Sequence, residues 1–438
     1  MRLNGKSRLR LAILISMVVV VLFAMPANAR TVEAADCSQQ EVQKAIDAAM
    51  DGDIVLVPAG SAVWTTSQEN RPAVVISAKG REKQITLQGA GIGKTIITDA
   101  TGSQCFQVVI KTSEAGIYSE VKDKAFRITG FTFKGRGDDA LISTTGYTGW
   151  RIDHCCFENS GRSLWVSGIG LIDHCSFDKK DDGQSIFVSH MDFAGQDHGD
   201  GSWSSPLSLG TEKAVYIEDC TFKYYAEKPD AALDGCFGAR VVFRHNTLVN
   251  ASVAVHGTES SGRGRSIRSY EIYDNSFTLE APREYFTAIF LRGGTGVIFD
   301  NKLIGGYRSF VLATNYRSRD SYAPWGKCDG SSKWDGNQES NGYPAIDQIG
   351  RSTDSGTGTP QQYDPLYEWG NTLNDADADI AVSGGPEVQD HIKEGRDYHN
   401  DTSRPDYAPY VYPHPATTIG NGNLVQTPKD RLIELNVG

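Results

Sequence analysis

Leu171-Ile-Asp-His-Cys-Ser-Phe177 is one copy of a seven-residue phrase that keeps returning along the chain. Arg127-Ile-Thr-Gly-Phe-Thr-Phe133 and Arg151-Ile-Asp-His-Cys-Cys-Phe157 come before it. Tyr216-Ile-Glu-Asp-Cys-Thr-Phe222, Val242-Phe-Arg-His-Asn-Thr-Leu248, Glu271-Ile-Tyr-Asp-Asn-Ser-Phe277 and Val297-Ile-Phe-Asp-Asn-Lys-Leu303 come after. The fifth position falls at 131, 155, 175, 220, 246, 275 and 301. One step, from 175 to 220, is long; the others cluster where a solenoid coil would put them. Each copy is a short apolar-alternating strand followed by a Gly/Asn/Asp-rich turn, with no helical pattern between. A propeller blade needs roughly 40–45 residues, and a sandwich keeps no fixed motif at such steps. A parallel β-helix fits, with each coil placing the phrase about 4.8 Å above the last. A slot shared by Cys155, Cys175, Cys220, Asn246, Asn275 and Asn301 reads as an inward stack, because a stacked Asn can bond to its neighbours above and below.

Outward from this core, Ser38-Gln-Gln-Glu41 is a capping box, and Val42, Ala45, Ile46 and Ala49 follow at helical spacing. A short helix over 38–50 is expected to cover the open end of the solenoid, where strand edges would otherwise be bare. Residues 53–319 are assigned to the β-helix, and 30–52 to the segment holding the capping helix. From 320 to 438 the phrase fades; Trp325, Trp334, Trp369 and Tyr410-Val-Tyr-Pro-His-Pro415 point to an irregular region packed on the coils. Gly89-Ala-Gly-Ile-Gly-Lys94 precedes a strand and lacks phosphate-loop spacing, so it reads as a turn.

Segment 1–29 carries a basic start (Arg2, Lys6, Arg8, Arg10), an apolar run from Leu11 to Met25, and Ala27-Asn-Ala29. That is the pattern of a cleaved secretory signal peptide. The apolar run falls short of the roughly 20 residues a membrane span needs. Export to the medium, periplasm or cell surface is therefore expected, with no membrane attachment afterwards. The formal charge of −11 argues against nucleic acid as a partner. The charge is uneven: residues 240–319 hold eleven Lys/Arg against six Asp/Glu, and 320–438 hold eight against nineteen. A basic stretch in an acidic protein points to an anionic ligand. Outside the repeat slot, Cys37, Cys105, Cys156, Cys236 and Cys328 make an odd number, and no pairing is assigned.

Trp150-Arg-Ile-Asp-His-Cys155 resembles the Trp-Ile-Asp-His phrase of pectate lyases. Ala226-Glu-Lys228-Pro-Asp-Ala-Ala-Leu-Asp-Gly235 is similar to their lysine segment. Val241-Val-Phe-Arg-His-Asn-Thr-Leu248, Arg263-Gly-Arg265-Ser-Ile-Arg268 and Glu271-Ile-Tyr-Asp-Asn275 are similar in order to their strand, arginine pair and Asn-bearing run. The chain departs at Ala226-Glu227, where the family has His-Asp, and at the stretch Val255–Gly262 inserted before Arg263. The resemblance thus reaches the broader superfamily of right-handed parallel β-helix proteins acting on polysaccharides. It implies a right-handed solenoid and β-elimination on a uronate-containing polymer.

Elimination removes the proton next to a sugar carboxylate, so that carboxylate must be neutralised and a base must reach the proton. The resemblance places Arg263 as base, with Arg268 and Lys228 beside it. His256 is a second candidate base on the inserted stretch. Arg265, Glu259, Trp203 and Arg292 are the expected substrate contacts. Asp178, Asp181 and Asp182 lie in an acidic turn that could ligate Ca2+, the cofactor the family implies. His190, Asp197, His198 and Asp200 match no common metal spacing. Asp153-His154 and Asp173-His174 recur inside the phrase and read as stacked scaffold. Two other readings stay open: a glycoside hydrolase using acids such as Asp178, Asp181, Asp182 and Asp192, or a non-catalytic glycan-binding surface or spike protein. The expected partner is an acidic polysaccharide and the expected state a monomer.

Overall fold

The computed structural model describes residues 29–65, 72–76, 83–101, 106–108, 125–135, 140–144, 148–159, 161–180, 183–189, 201–225, 230–259, 264–280, 286–336, 342–352, 361–383 and 386–418. Residues 1–28, which hold most of the expected signal peptide, and Cys105 lie outside these residues. Among the described residues three long sheets run the length of the molecule: sheet I with twelve strands, sheet II with eleven and sheet III with ten. Every strand pairing there is parallel except Thr372–Leu373 with Ala376–Asp377. Each coil visits sheet I, then II, then III, as in Arg127–Thr129, Thr132–Lys134 and Ala140–Thr144. The chain is a right-handed parallel β-helix, the hand that parallel crossovers almost always take.

The phrase accounts for the register. Its second position faces inward on sheet I, where Ile128, Ile152, Ile172, Ile217, Phe243, Ile272 and Ile298 align. Its seventh faces inward on sheet II, and Phe133, Phe157, Phe177 and Phe222 stack with centroids 5.4, 5.0 and 4.7 Å apart. Its fourth position is the corner between the two sheets. Gly130, His154, His174, Asp219, His245, Asp274 and Asp300 all have φ between 48° and 79° there. Gly, Asp and His are among the residues that tolerate this left-handed conformation. The histidines of the phrase are thus corner residues. His154 and His174 stack at 5.0 Å, and each Nδ1 bonds to the preceding Asp rather than to another coil.

The inward slot after the corner is a hydrogen-bonded ladder. Asn275 Oδ1 accepts from Asn246 N at 2.9 Å, Asn301 Oδ1 from Asn275 N at 3.1 Å, and Asn371 Oδ1 from Asn301 N at 2.9 Å. In the earlier coils Cys155, Cys175 and Cys220 donate their thiols to backbone carbonyls. The described cysteines are free thiols. At the start, the helix Gln39–Ala48 is capped by Ser38 and buries Val42, Ala45 and Ile46.

The region past 319 is more regular than its sequence suggests. Tyr367-Glu-Trp-Gly-Asn-Thr-Leu373 is an eighth copy of the phrase, far along the chain from the seventh, and pairs with Val297–Phe299 and Lys302–Leu303. Ile380–Val382 extends sheet III and Tyr398–His399 extends sheet I. Residues 401–418 then run back along the outside of sheet I as a strap. Thr402 N donates to Glu368 O, Tyr407 Oη to Glu271, Arg244 to the carbonyls of Tyr410 and Val411, and Arg151 to Ala416 O. Tyr407, Tyr410 and Ala416 pack on Tyr216, Tyr273 and Phe299.

In the eighth copy Glu368 takes the inward position held elsewhere by Ile or Phe. Burial raises its carboxyl to about 7, against the opposing hydrogen bond from Asn371. A raised folded value means that the protonated form stabilises the fold fully below the ordinary glutamate range. That stability is lost as pH rises through about 7. Glu368→Gln should therefore melt above the parent near pH 8, and the gap should close below about pH 5. A gap that does not depend on pH would overturn this account.

Candidate functional site

With the strap over sheet I, the outer face of sheet III is where chemistry-bearing side chains gather. Asp234 lies on the strand Ala231–Cys236, in one row with Trp165, Phe187, Ala254 and Phe290. His256 is two residues beyond Ala254, and Arg292 two beyond Phe290, so both continue that outward parity at the ends of adjacent strands. The turn His256-Gly-Thr-Glu259 bends Glu259 back onto the ring.

The result is one hydrogen-bonded relay across consecutive coils. Arg162 Nη2 donates to Gln184 Oε1 at 3.1 Å, and Gln184 Nε2 to Asp234 Oδ2 at 2.6 Å. His256 Nε2 lies 2.7 Å from the same Oδ2, and its Nδ1 lies 2.9 Å from Glu259 Oε1. Arg292 Nη1 completes the chain at 2.9 Å from Glu259 Oε1. Burial alone would raise the Glu259 carboxyl, but the bond from His256 and the charge of Arg292 hold it below the usual range. Asp234 is 1% exposed, and its Oδ1 has no hydrogen-bond partner among the described residues.

Aromatic rings flank the relay on both sides. Trp165 and Phe187 meet edge to face at 5.4 Å, with Arg162 over both. Beyond Arg292, Phe290 and Tyr316 lie 6.2 Å apart, with Arg292 above both and Arg319 over Tyr316. Trp165, Phe290 and Tyr316 are half-buried, so part of each ring faces solvent.

Gly257 makes the turn possible. A Cβ there would stand 2.3 Å from Arg292 O and 2.6 Å from Glu259 Oε2. Gly257→Ala is therefore expected to push Glu259 off His256 while the solenoid stays folded, and to lower any turnover that depends on that contact at least about tenfold. Unchanged turnover would show that the Glu259 contact is dispensable.

The expected residues divide. His256, Glu259 and Arg292 come together in the relay. Arg265, Arg268 and Trp203 are placed together, but inside: all three are fully buried. Arg265 forms a two-pronged ion pair with Asp347, and both arginines lie over the Trp203 ring at 4.6 and 5.0 Å. Burial, with Arg240 next, pushes Arg268 down to about 9. A residue sealed in this way holds the turns together rather than touching a polymer. Glu271, three residues past Arg268, accepts from Gly210 N and Tyr407 Oη. Arg263, Lys228, Asp181, Asp182, His190, Asp192, Asp197, His198 and Asp200 lie outside the described residues. Asp178 is on sheet II, 3.4 Å from Tyr225 Oη, and on a different face from the relay. Among the described residues, Glu368, Asp379 and Asp401 bring carboxylate oxygens within 4.8 Å of one another. Their hard oxygens suit Ca2+, although three ligands fall short of the roughly 6–8 it takes. This group sits at the last coil, apart from the relay.

Asp234, Gln184, Arg162 and the aromatic pairs were not picked out from sequence. Asp234 did carry a signal, as an acid inside an otherwise apolar strand.

Fold and face together define a right-handed parallel β-helix with a charged, aromatic-flanked outer face on sheet III. Similar solved structures include an alginate lyase from Paenibacillus sp. str. FPU-7, at 15% identity and TM-score 0.39 over 64% of this chain and 99% of that one. A mannuronan C-5 epimerase A-module from Azotobacter vinelandii has 11% identity and TM-score 0.40, over 84% and 92%. A family 28 exopolygalacturonase from Yersinia enterocolitica has 10% and 0.31, over 83% and 77%. At these values the likeness concerns the fold alone. No family model and no curated protein matches the sequence.

Proposed function

We propose that the protein is a secreted, monomeric lyase that cleaves an acidic, uronate-containing polysaccharide by β-elimination on the outer face of sheet III. The relay Asp234–His256–Glu259–Arg292 is the observation that carries this reading. Elimination needs a group that can move a proton and a cation that can neutralise a carboxylate, and the relay holds both side by side. His256 is the proton-moving group once an incoming sugar releases one of its ring nitrogens. Arg292 meets the sugar carboxylate, which its planar guanidinium suits. Asp234, sealed behind the ring, orients His256. Trp165, Phe187, Phe290 and Tyr316 offer apolar faces to sugar rings on either side. Asp234 and Glu259 each already bond to His256. That favours imidazole chemistry over a hydrolase, which needs two carboxylates free to act on the bond.

The test is to incubate the mature chain with a panel of uronate polymers, with and without Ca2+, and follow the ultraviolet absorbance of unsaturated sugar ends. Appearance of that signal supports elimination. New reducing ends without it would mean hydrolysis, and binding without either would leave a glycan-binding protein.

A further inference from the structure

Segment 342–352 lies against the turns that join sheet III to sheet I. Gly350 N donates to Gly294 O at 3.1 Å, and Gly294 N to Asp347 O at 3.2 Å. Arg351, at its end, is only 4% exposed. Its Nε and Nη1 have no hydrogen-bond partner among the described residues. Two other buried arginines have a carboxylate each, Arg265 with Asp347 and Arg317 with Asp335, while Arg268, which reaches Ser352 Oγ, lies over the Trp203 ring and donates to Ser205 O. What Arg351 does have is a ring, since its guanidinium lies 4.3 Å from the centroid of Tyr363. Arg396 approaches the same ring at 5.8 Å, but its Nε and Nη2 are already taken by Asp397. Among the described residues, Arg351 and Arg396 share the charge of Asp397. A charge taken out of water without a full counter-charge is costly, and a water molecule would satisfy the N–H groups without supplying one.

We propose that Arg351 is the floor of a binding site for a small oxyanion group, a carboxylate or a sulfate, separate from the relay. Tyr363 is half exposed and forms the way in from solvent. Its ring also gives a sugar bearing that anion a face to lie against. Guanidinium suits both anions, because its N–H groups match planar and tetrahedral oxygen pairs alike. The two sources are a sugar acid, which brings a ring, and an inorganic or ester sulfate, which does not need one.

The experiment is a thermal melt of the full mature chain with a hexuronate monosaccharide, with sodium sulfate, or with sodium chloride at matched ionic strength. The parent should melt higher with one of the two oxyanions than with chloride. Arg351→Met should lose that rise and, without ligand, melt at or above the parent, since the incompletely compensated charge has gone. Arg351→Lys should keep the fold and a reduced rise. Tyr363→Ala should diminish a hexuronate rise and spare a sulfate one, which separates the two sources. His256→Gln should leave the rise intact, which separates this site from the proposed active site. No rise in the parent, an undiminished rise in Arg351→Met, or ligand-free Arg351→Met melting well below the parent would each overturn the proposal.

Discussion

His256→Gln is expected to lower turnover in the proposed elimination by about 10²–10⁴-fold, the usual range for losing a general acid or base. The imidazole sits between Asp234 and Glu259 at 2.7 and 2.9 Å. Glutamine can still donate to one of these carboxylates but cannot accept and return a proton. The loss should therefore fall mainly on kcat, with KM changing little, because the aromatic faces and Arg292 remain. The stability cost should be modest, since one carboxylate keeps a donor and Glu259 keeps Arg292. Turnover within a few-fold of the parent would remove His256 from the mechanism and return attention to Arg263.

Asn275→Ala should be the most damaging single change to stability among those considered, at about 2–4 kcal/mol. Asn275 Oδ1 accepts from both the N–H and the side chain of Asn246. Its Nδ2 donates to Phe243 O, Tyr273 O and Asn301 Oδ1. All of these groups are buried, so truncation strands several polar atoms with no water to take over. Asn275→Cys should recover part of the loss, because thiols fill the same slot in earlier coils and donate to carbonyls there. Denaturant midpoints of the two variants would test this, and an alanine variant as stable as the parent would refute the ladder's role.

The fold was legible because the phrase carries its own geometry: one inward apolar position per sheet, and a small polar residue between them. The Cys/Asn slot could be read from its constancy alone. The eighth copy escaped notice for two physical reasons. It begins only at Tyr367, long after the seventh has ended at Leu303, and Glu368 replaces the apolar residue that marks the pattern. Part of the candidate site was also legible. His256 and Glu259 stand on an interruption of the repeat, where side chains are freed from coil packing. Their partnership with Asp234 and Arg292 depends on strand register, which residue order does not disclose. Arg265 and Arg268 misled for a related reason. The carboxylate that seals Arg265 belongs to the distant Asp347, and the ring over which both arginines lie belongs to Trp203.

The strap over sheet I changes how the solenoid can come apart. In a simple stack each coil touches only its neighbours, so an end can fray while the middle holds. Here one short segment bonds to Glu368, Glu271, Arg244, Glu218 and Arg151 in turn. Opening the last coil therefore loosens contacts many coils away, and the early coils help to hold the late ones shut. A linear array with such a tie behaves more like a single cooperative unit. The outer face of sheet III is thus carried by a scaffold whose last coil is tied back as far as the coil that holds Arg151.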